Sequence, residues 1–359
     1  MSEHANAAPV VTNGSRVAAF LLRLLGHSWA ALLIAFVISL PVGLLLITLS
    51  GADPVEASTV AFEATVGTVN GFVNTLVFAT PRLFVALSAI VALRSGLFNL
   101  GGEGQLQLGA VGAVIGGYYF GSYLPGVLGL VAALLGGIWA GIAALFKIWR
   151  GADEMIVTLL MNFIATYFVL FLLQGPMRGA GSSYNQSERI PEWVELSHLF
   201  GTRLHGGVIL VAVMVVVVAL YFSRTRAGLA MRSVGLNRSA SRFQGLPIKT
   251  ILVGAMVLSG AIAGLAGANE VLGTQYRLIS GFSASYGFEG LAIAFLAGLR
   301  PLRATVLALV FGAIYAAATQ LQQSVGVSAS IAYVVEGIPI ILLAAISGIQ
   351  LLVAKRRKG

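Results

Sequence analysis

The sequence predicts an all-α polytopic membrane protein, and three observations carry that prediction. Apolar residues make up 58% of the 359 and charged residues only 10%, against about 25% charged in soluble domains. Many apolar runs approach the roughly 20 residues that a helix needs to cross a bilayer core. The runs are continuously apolar, whereas the strands of a membrane β-barrel would alternate polar with apolar. A net charge of +9 raises nucleic acid as a partner, but its distribution excludes it. The basic residues gather in short loops beside the apolar runs, as the positive-inside rule requires. There is no cysteine, so disulfides and thiolate metal sites are excluded, and His4, His27, His198 and His205 are scattered with no metal-ligand spacing.

The elements follow in order. Residues 1–27 read as a cytoplasmic tail, with Arg16 and Arg23 ahead of a first crossing at 28–50. That run is too long for a cleavable signal and reads as the start of a membrane domain spanning 28–353. Segment 51–69 holds Asp53, Glu56 and Glu63 but no lysine or arginine, which suits an external loop. Thr80-Pro81-Arg82 interrupts the next run, so 70–80 read as a lead-in and 82–95 as a short second crossing. Helices are expected near 104–123 and 126–147, separated by Pro125-Gly126, and then near 155–175.

The polar stretch 176–206, with an amphipathic piece around Trp193, reads as an external loop. A crossing at 207–223 leads into 224–249, which carries six basic residues and no acid, a strong cytoplasmic signal. Crossings near 250–269, 288–299, 303–321 and 332–353 follow, and 354–359 is a basic cytoplasmic tail. The total is about ten crossings with both termini inside. Only Arg82, Arg178, Arg189, Arg203 and Arg277 of the 22 basic residues then fall outside.

One internal echo stands out. The stretch 95-SGLFNLGGEG-104 resembles 280-SGFSASYGFEG-290: each starts Ser-Gly, ends Glu-Gly and feeds a helix rich in small residues. The topology puts the first toward the cytoplasm and the second toward the outside. Such inverted repeats with glycine-rich broken helices recur in transporters, whose substrate sites lie where the repeats meet. The alternative is chance, since Ser-Gly and Glu-Gly are cheap in a chain with 44 glycines. On the first reading Gly96, Gly101, Gly102, Gly104, Gly281, Gly287 and Gly290 are hinge positions. Phe98, Asn99, Glu103, Phe282, Tyr286, Phe288 and Glu289 then border a substrate path.

Glutamates beside hydrocarbon are costly and point to function, yet Glu103 and Glu289 have a structural alternative, bonding to the N–H groups of the helices they open. Glu270, Arg277 and Glu336 read as solvated near the external face. The chain has no G-x-x-x-x-G-K-[ST] loop, so active transport must draw on a partner's ATP hydrolysis or on an ion gradient. Most acids map to helix ends or loops rather than to a buried proton relay, which favours the ATP-driven reading over an ion-coupled carrier. In the basic loop, Asn237 at one end and Gly245-Leu246-Pro247 at the other bound a short helix suited to docking on a partner.

Several motifs are similar to one family. Arg94-Ser95-Gly96-Leu97-Phe98-Asn99-Leu100-Gly101-Gly102-Glu103-Gly104-Gln105 resembles a signature of permease subunits of bacterial ABC importers. These form the branched-chain amino acid/ribose permease family, and the likeness is greatest to its nucleoside (basic membrane protein-type) subgroup. Asp153-Glu154-Met155-Ile156-Val157-Thr158-Leu159-Leu160-Met161-Asn162 and Gln174-Gly175-Pro176 are similar to further segments of that subgroup. Thr225-Arg226-Ala227-Gly228, the stretch from Gly235 to Gly245, Ser259-Gly260-Ala261-Ile262-Ala263-Gly264-Leu265-Ala266-Gly267 and Tyr286-Gly287-Phe288-Glu289-Gly290-Leu291-Ala292 resemble patterns of the family as a whole. The resemblance runs from about residue 80 to the end and leaves 1–27 unmatched.

It implies a type II ABC importer-like permease in a bacterial inner membrane, with inverted halves. The implied partners are a second, homologous permease, ATP-binding cassette subunits that hold the ATP and Mg, and an extracytoplasmic substrate-binding lipoprotein. No cofactor is implied for this chain, and beyond its protein partners it meets membrane lipid. The ATPase-coupling helix maps onto Asn237, Arg238, Ser239, Ala240, Ser241, Arg242, Phe243 and Gly245, although Ser239-Ala240-Ser241 stands where the better-known coupling motif has an "EAA" opening. A membrane scaffold without a transport path is the reading from another class. Replacing Gly101 and Gly102 by leucine separates the two: nucleoside uptake by cells is expected to be lost at normal expression, and unchanged uptake would favour the scaffold.

Overall fold

A computed structural model describes residues 51–119, 125–283 and 285–326, together with isolated positions within 43–49 and 334–345. The crossings expected at 28–50 and 332–353 lie almost wholly outside the described residues, as do Glu336 and both tails. By their contacts, Val60–Gln320 make up one compact unit and Met1–Thr59 with Leu321–Gly359 the other.

The described chain is helical, with isolated bridges at Gln186–Ile279 and His198–His205. Its helices are α1 Pro54–Phe62, α2 Val69–Arg94, α3 Gly102–Tyr119, α4 Pro125–Arg150, α5 Glu154–Gln174, α6 Gly206–Arg224, α7 Arg226–Leu236, α8 Arg238–Phe243, α9 Ile248–Glu270, α10 Tyr286–Leu296 and α11 Pro301–Ser324. Among the described residues six are long and apolar enough to cross a membrane: α2, α4, α5, α6, α9 with its π-turn, and α11. α10 is apolar but shorter.

Three expectations are corrected. Segment 51–69 is no open loop. Asp53 accepts the Val55 N–H at 2.8 Å and Pro54 opens α1, a position where its missing N–H costs nothing. A π-turn at Glu63–Gly67 then runs into α2. Second, 70–95 do not divide at Pro81: α2 is one helix of 26 residues passing through it. Pro81 donates nothing to the carbonyl four residues back, but side chains serve the carbonyls around it. The Thr80 hydroxyl donates to Leu76 O at 2.8 Å and Arg82 Nη1 to Phe78 O at 2.8 Å. Apolar surroundings tolerate proline within a helix when such donors are at hand. Third, Arg82 and Glu270 are not solvated; they are 0% and 2% exposed. Arg277 is half-buried.

Burial separates centre from rim. In α2 83% of the apolar window is buried, against 33% in α5 and 28% in α6, whose outer faces carry rows of exposed Leu, Ile, Val and Phe suited to lipid. α9 is the hub, packing on α4, α3 and α2. Its stretch 260-GAIAGLAG-267 makes this possible. A Cβ on Gly264 would lie 2.3 Å from Ala132 O of α4, and one on Gly267 would lie 2.0 Å from Leu106 O of α3. Small residues let membrane helices approach backbone to backbone, where dispersion rather than hydrophobicity holds them. α4 and α5 form a hairpin whose ends are joined by a Lys147–Glu154 ion pair, while Asp153 caps α5 through the Met155 and Ile156 N–H groups.

The ends of the unit are distinct. At one, the 176–206 segment, with a single turn at Glu192–Val194, is stitched to 272–280 by backbone bonds such as Ile190 N to Tyr276 O and Leu196 N to Leu272 O, both 2.8 Å. At the other, the basic loop folds into α7 and α8 against the C-terminus of α2. The expected short helix of this loop is α8, with Asn237 accepting the Ala240 N–H and Gly245 at φ +76 after its end; α7 is an addition to what the sequence indicated.

Gly267→Ala is expected to destabilise the protein by about 1–3 kcal/mol through overpacking against α3. Gly254→Ala, whose Cβ would meet nothing nearer than 3.9 Å, should be neutral or slightly stabilising. Thermal unfolding of the purified variants in detergent reads the difference.

Candidate functional site

The site is built around two helices that start inside the bundle. α2 ends at Arg94, the chain unwinds over 95–101, and α3 begins at Gly102. α9 ends in the π-turn Val271–Gln275, the chain unwinds again, and α10 begins at Tyr286. The echoed Ser-Gly pairs sit in these two breaks, with Gly96 at φ +73 and Gly281 at φ +76. The two helix starts abut: a Cβ on Gly287 would lie 2.5 Å from Glu103 N, so only glycine fits there. From this junction α3 runs toward the end holding the 176–206 segment, where Gly117 faces Ile190. α10 runs toward the opposite end, where Leu299 O accepts Arg94 Nε at 2.9 Å.

Unwound backbone inside an apolar bundle must find partners, and the first break finds them in side chains. Leu100 N donates to Thr158 Oγ1 at 3.1 Å. Asn162 works both ways, accepting from Gly104 N at 2.9 Å and donating to Leu100 O at 2.8 Å. Asn99 accepts from Gly101 N at 2.9 Å and exchanges two hydrogen bonds with Gln105 at 2.8 and 2.9 Å. It also donates to Ser259 Oγ, which donates in turn to Ser88 O. Gly101 and Gly104 leave the room in which Thr158 and Asn162 approach.

Across the junction, Glu103 accepts from Gly287 N at 2.7 Å and from the Ser283 hydroxyl. It therefore caps the other half-helix, not its own. Gln107 and Thr166 extend the chain, Gln107 Nε2 donating to Ser283 Oγ at 3.3 Å and Thr166 Oγ1 to Gln107 Oε1 at 3.1 Å. Glu289, in the first turn of α10, pairs with Arg82 of α2. The Arg82 guanidinium also lies 4.8 Å from the Tyr286 ring centre and 4.4 Å from that of Tyr315, positions favourable for cation–π attraction. Gly290 lets α10 approach, since its Cβ would meet Val85 at 2.7 Å.

Of the residues that the sequence singled out, the structure gathers Asn99, Glu103, Tyr286 and Glu289 with the glycines at 101, 102, 104, 287 and 290. Phe98 packs on Phe295 with ring centres 5.5 Å apart. Phe282 lies against the apolar cluster around Leu278, and Phe288 is 49% exposed on the outer side of α10. Sequence reasoning missed Arg82, Glu270, Ser283, Gln107, Thr158 and Asn162 as members of this polar interior. Thr158 and Asn162 carried a signal: both belong to the 153–162 motif already singled out.

A bundle of membrane-length helices around two facing half-helices has the build of a multi-pass membrane transport protein. The family described as branched-chain amino acid transport system / permease component matches residues 71–344, and the chain belongs to it. Among its relatives, the glucose ABC transporter permease protein TsgB13 of Haloferax volcanii is 31% identical over 85% of this chain and 84% of its own length. The guanosine ABC transporter permease protein NupP of Bacillus subtilis is 30% identical over 91% and 96%. The nucleoside ABC transporter permease protein NupB of Lactococcus lactis is 27% identical over 78% and 80%.

Removing Arg82 strips Glu289 of its buried counter-ion, and removing Glu289 takes one carboxylate away from Arg82, on whose charge Glu270 also acts. Arg82→Met and Glu289→Met are each expected to be destabilising, Arg82→Met by about 3–5 kcal/mol, and the double Arg82→Met/Glu289→Met to cost clearly less than the sum. A double-mutant cycle on thermal unfolding tests this, and additive losses would contradict the pairing.

Proposed function

We propose that this chain is the permease subunit of an ATP-driven ABC importer that carries nucleosides into the cytoplasm by alternating access. The observation that carries the reading is the Glu103 junction, where two half-helices of opposite direction meet and one carboxylate ties both. Broken helices meeting near mid-depth mark the substrate region in transporters built from inverted repeats. The matched positive-φ glycines of the two Ser-Gly pairs support such a repeat. With the crossings at 28–50 and 332–353 the fold would have about ten, both termini on the cytoplasmic side of an inner membrane.

Substrate passes beside Asn99, Glu103, Tyr286 and Glu289, while Phe98, Phe282 and Phe288 pack or face elsewhere and are not assigned to the path. The glycines of the two breaks let the neighbouring helices rock. A second, homologous permease completes the translocator, ATP-binding cassette subunits supply the hydrolysis of MgATP, and an extracytoplasmic binding lipoprotein delivers the substrate. The nucleoside assignment rests on the guanosine and nucleoside permeases among the relatives, the first aligned over 96% of its length. A sugar is the second reading, favoured by the glucose permease at 31% identity. Uptake into proteoliposomes holding the whole complex and its binding protein tests both. Labelled guanosine should accumulate with ATP, and unlabelled glucose in excess should not compete. ATP-independent uptake by this chain alone, driven by an ion gradient, would overturn the importer reading.

Arg242 and Phe243, exposed at the C-terminal end of α8, and Gly245 just beyond it are offered to the ATPase, Phe243 being 94% exposed. Gly245→Asp and Arg242→Glu are therefore expected to weaken ATPase copurification and to abolish substrate stimulation of hydrolysis. Unchanged copurification and stimulation in both would place the docking element elsewhere.

A further inference from the structure

Resting on that reading, we infer that Arg238 is a positioning residue which, with Arg94, links the coupling loop to both broken helices. Arg238, although exposed like Arg242 and Phe243, reaches back from α8 to the permease. Its Nη2 donates to Gly96 O at 2.8 Å, across 142 residues of sequence. Gly96 is the left-handed residue at which the first break begins. The contact is reinforced by backbone: a Cβ on Gly235, at the end of α7, would lie 2.1 Å from Arg94 O and 2.9 Å from Gly96 N. The loop therefore grips the point where α2 turns into the break.

The second arginine reaches the other half. Arg94, the last residue of α2, donates through Nε to Leu299 O at 2.9 Å. Leu299 is itself left-handed, at φ +57, in the turn that ends α10. The Arg94 guanidinium also lies 4.8 Å from the ring centre of Phe222 near the end of α6, and Arg232 and Arg300 stand close enough to act on its charge. The two donors make one line, from α8 through Gly96 and Arg94 to Leu299. It joins the loop to the entry of the first break and to the exit of α10, the two elements that Glu103 ties together at their starts.

A displacement of α8 thus reaches both half-helices through charge-assisted bonds to carbonyls. Such bonds are directional and stronger than neutral ones, so they pass on translation as well as position. The exposed Phe243 and Arg242 meet the ATPase, while Arg238 holds the permease side of the same helix.

The test uses the full complex with its binding protein in proteoliposomes. Arg238→Ala is expected to leave ATPase copurification at the wild-type level while uptake falls about tenfold, as loss of one charged hydrogen bond implies. ATP hydrolysed per nucleoside imported then rises in proportion. Arg238→Lys, which can still donate to Gly96 O, should restore most of the uptake. Wild-type uptake in Arg238→Ala, or no rescue by lysine, would overturn the inference. Loss of the ATPase from the variant complex would overturn it too, by assigning Arg238 to the docking face. A wild-type complex that neither hydrolyses ATP in response to binding protein nor accumulates nucleoside would instead sink the importer reading, a separate result.

Discussion

The structure depends on one constraint: a helix broken inside an apolar bundle frees backbone N–H and C=O groups that must find new partners. Each unpaired group there costs several kcal/mol. The first break is therefore tolerable only because Asn99, Thr158 and Asn162 serve its backbone. Asn162 is central, since its amide accepts from one residue and donates to another on either side of the helix start. An aspartate in its place would accept but not donate, and a leucine would do neither. The position of α5 against α3 follows from these bonds as much as from apolar packing.

The same constraint governs charge. The starts of α3 and α10 present the positive ends of two helix dipoles to each other at the junction, which would repel unaided. Glu103 answers this by accepting from the Gly287 N–H of the opposite helix. Glu289 in turn needs a counter-ion and has Arg82, held between two tyrosine rings. The polar groups at the junction are thus engaged with one another, whereas elsewhere in the interior the buried Asn269 amide has no hydrogen-bond partner among the described residues.

How much of this the sequence disclosed depended on range. The helices α4, α5, α6 and α9 were legible because their apolar runs end at charges, prolines or glycines close to the true boundaries. Asn237 and Gly245 bracketed α8 for the same reason: cap signals are local. The echo between 95–104 and 280–290 located both breaks, though not that Glu103 of one binds the other. Arg82 was misread because Pro81 and a charge look like a loop when read locally. Its partner Glu289 stands 207 residues away, beyond any periodicity. Glu270 was misread likewise: a carboxylate at a helix end suggests solvent, and only tertiary packing buries it. α1 escaped notice because its acids suggested a loop.

The glycine seam of α9 has a mechanical consequence. Where Gly260, Gly264 and Gly267 meet the carbonyls of α4 and α3, no side chain lies between the backbones to change rotamer, compress or slide over a neighbour. A layer of leucines can yield by an ångström; touching peptide planes cannot. α3, α4 and α9 therefore behave as one stiff plate, and a working stroke has to divide the molecule along its softer seams. The contact of α10 with α2 is of a mixed kind: Gly290 sits against Val85 and the Ala86 backbone, while the Arg82–Glu289 ion pair and the Tyr286 ring beside it are side chains that can rearrange.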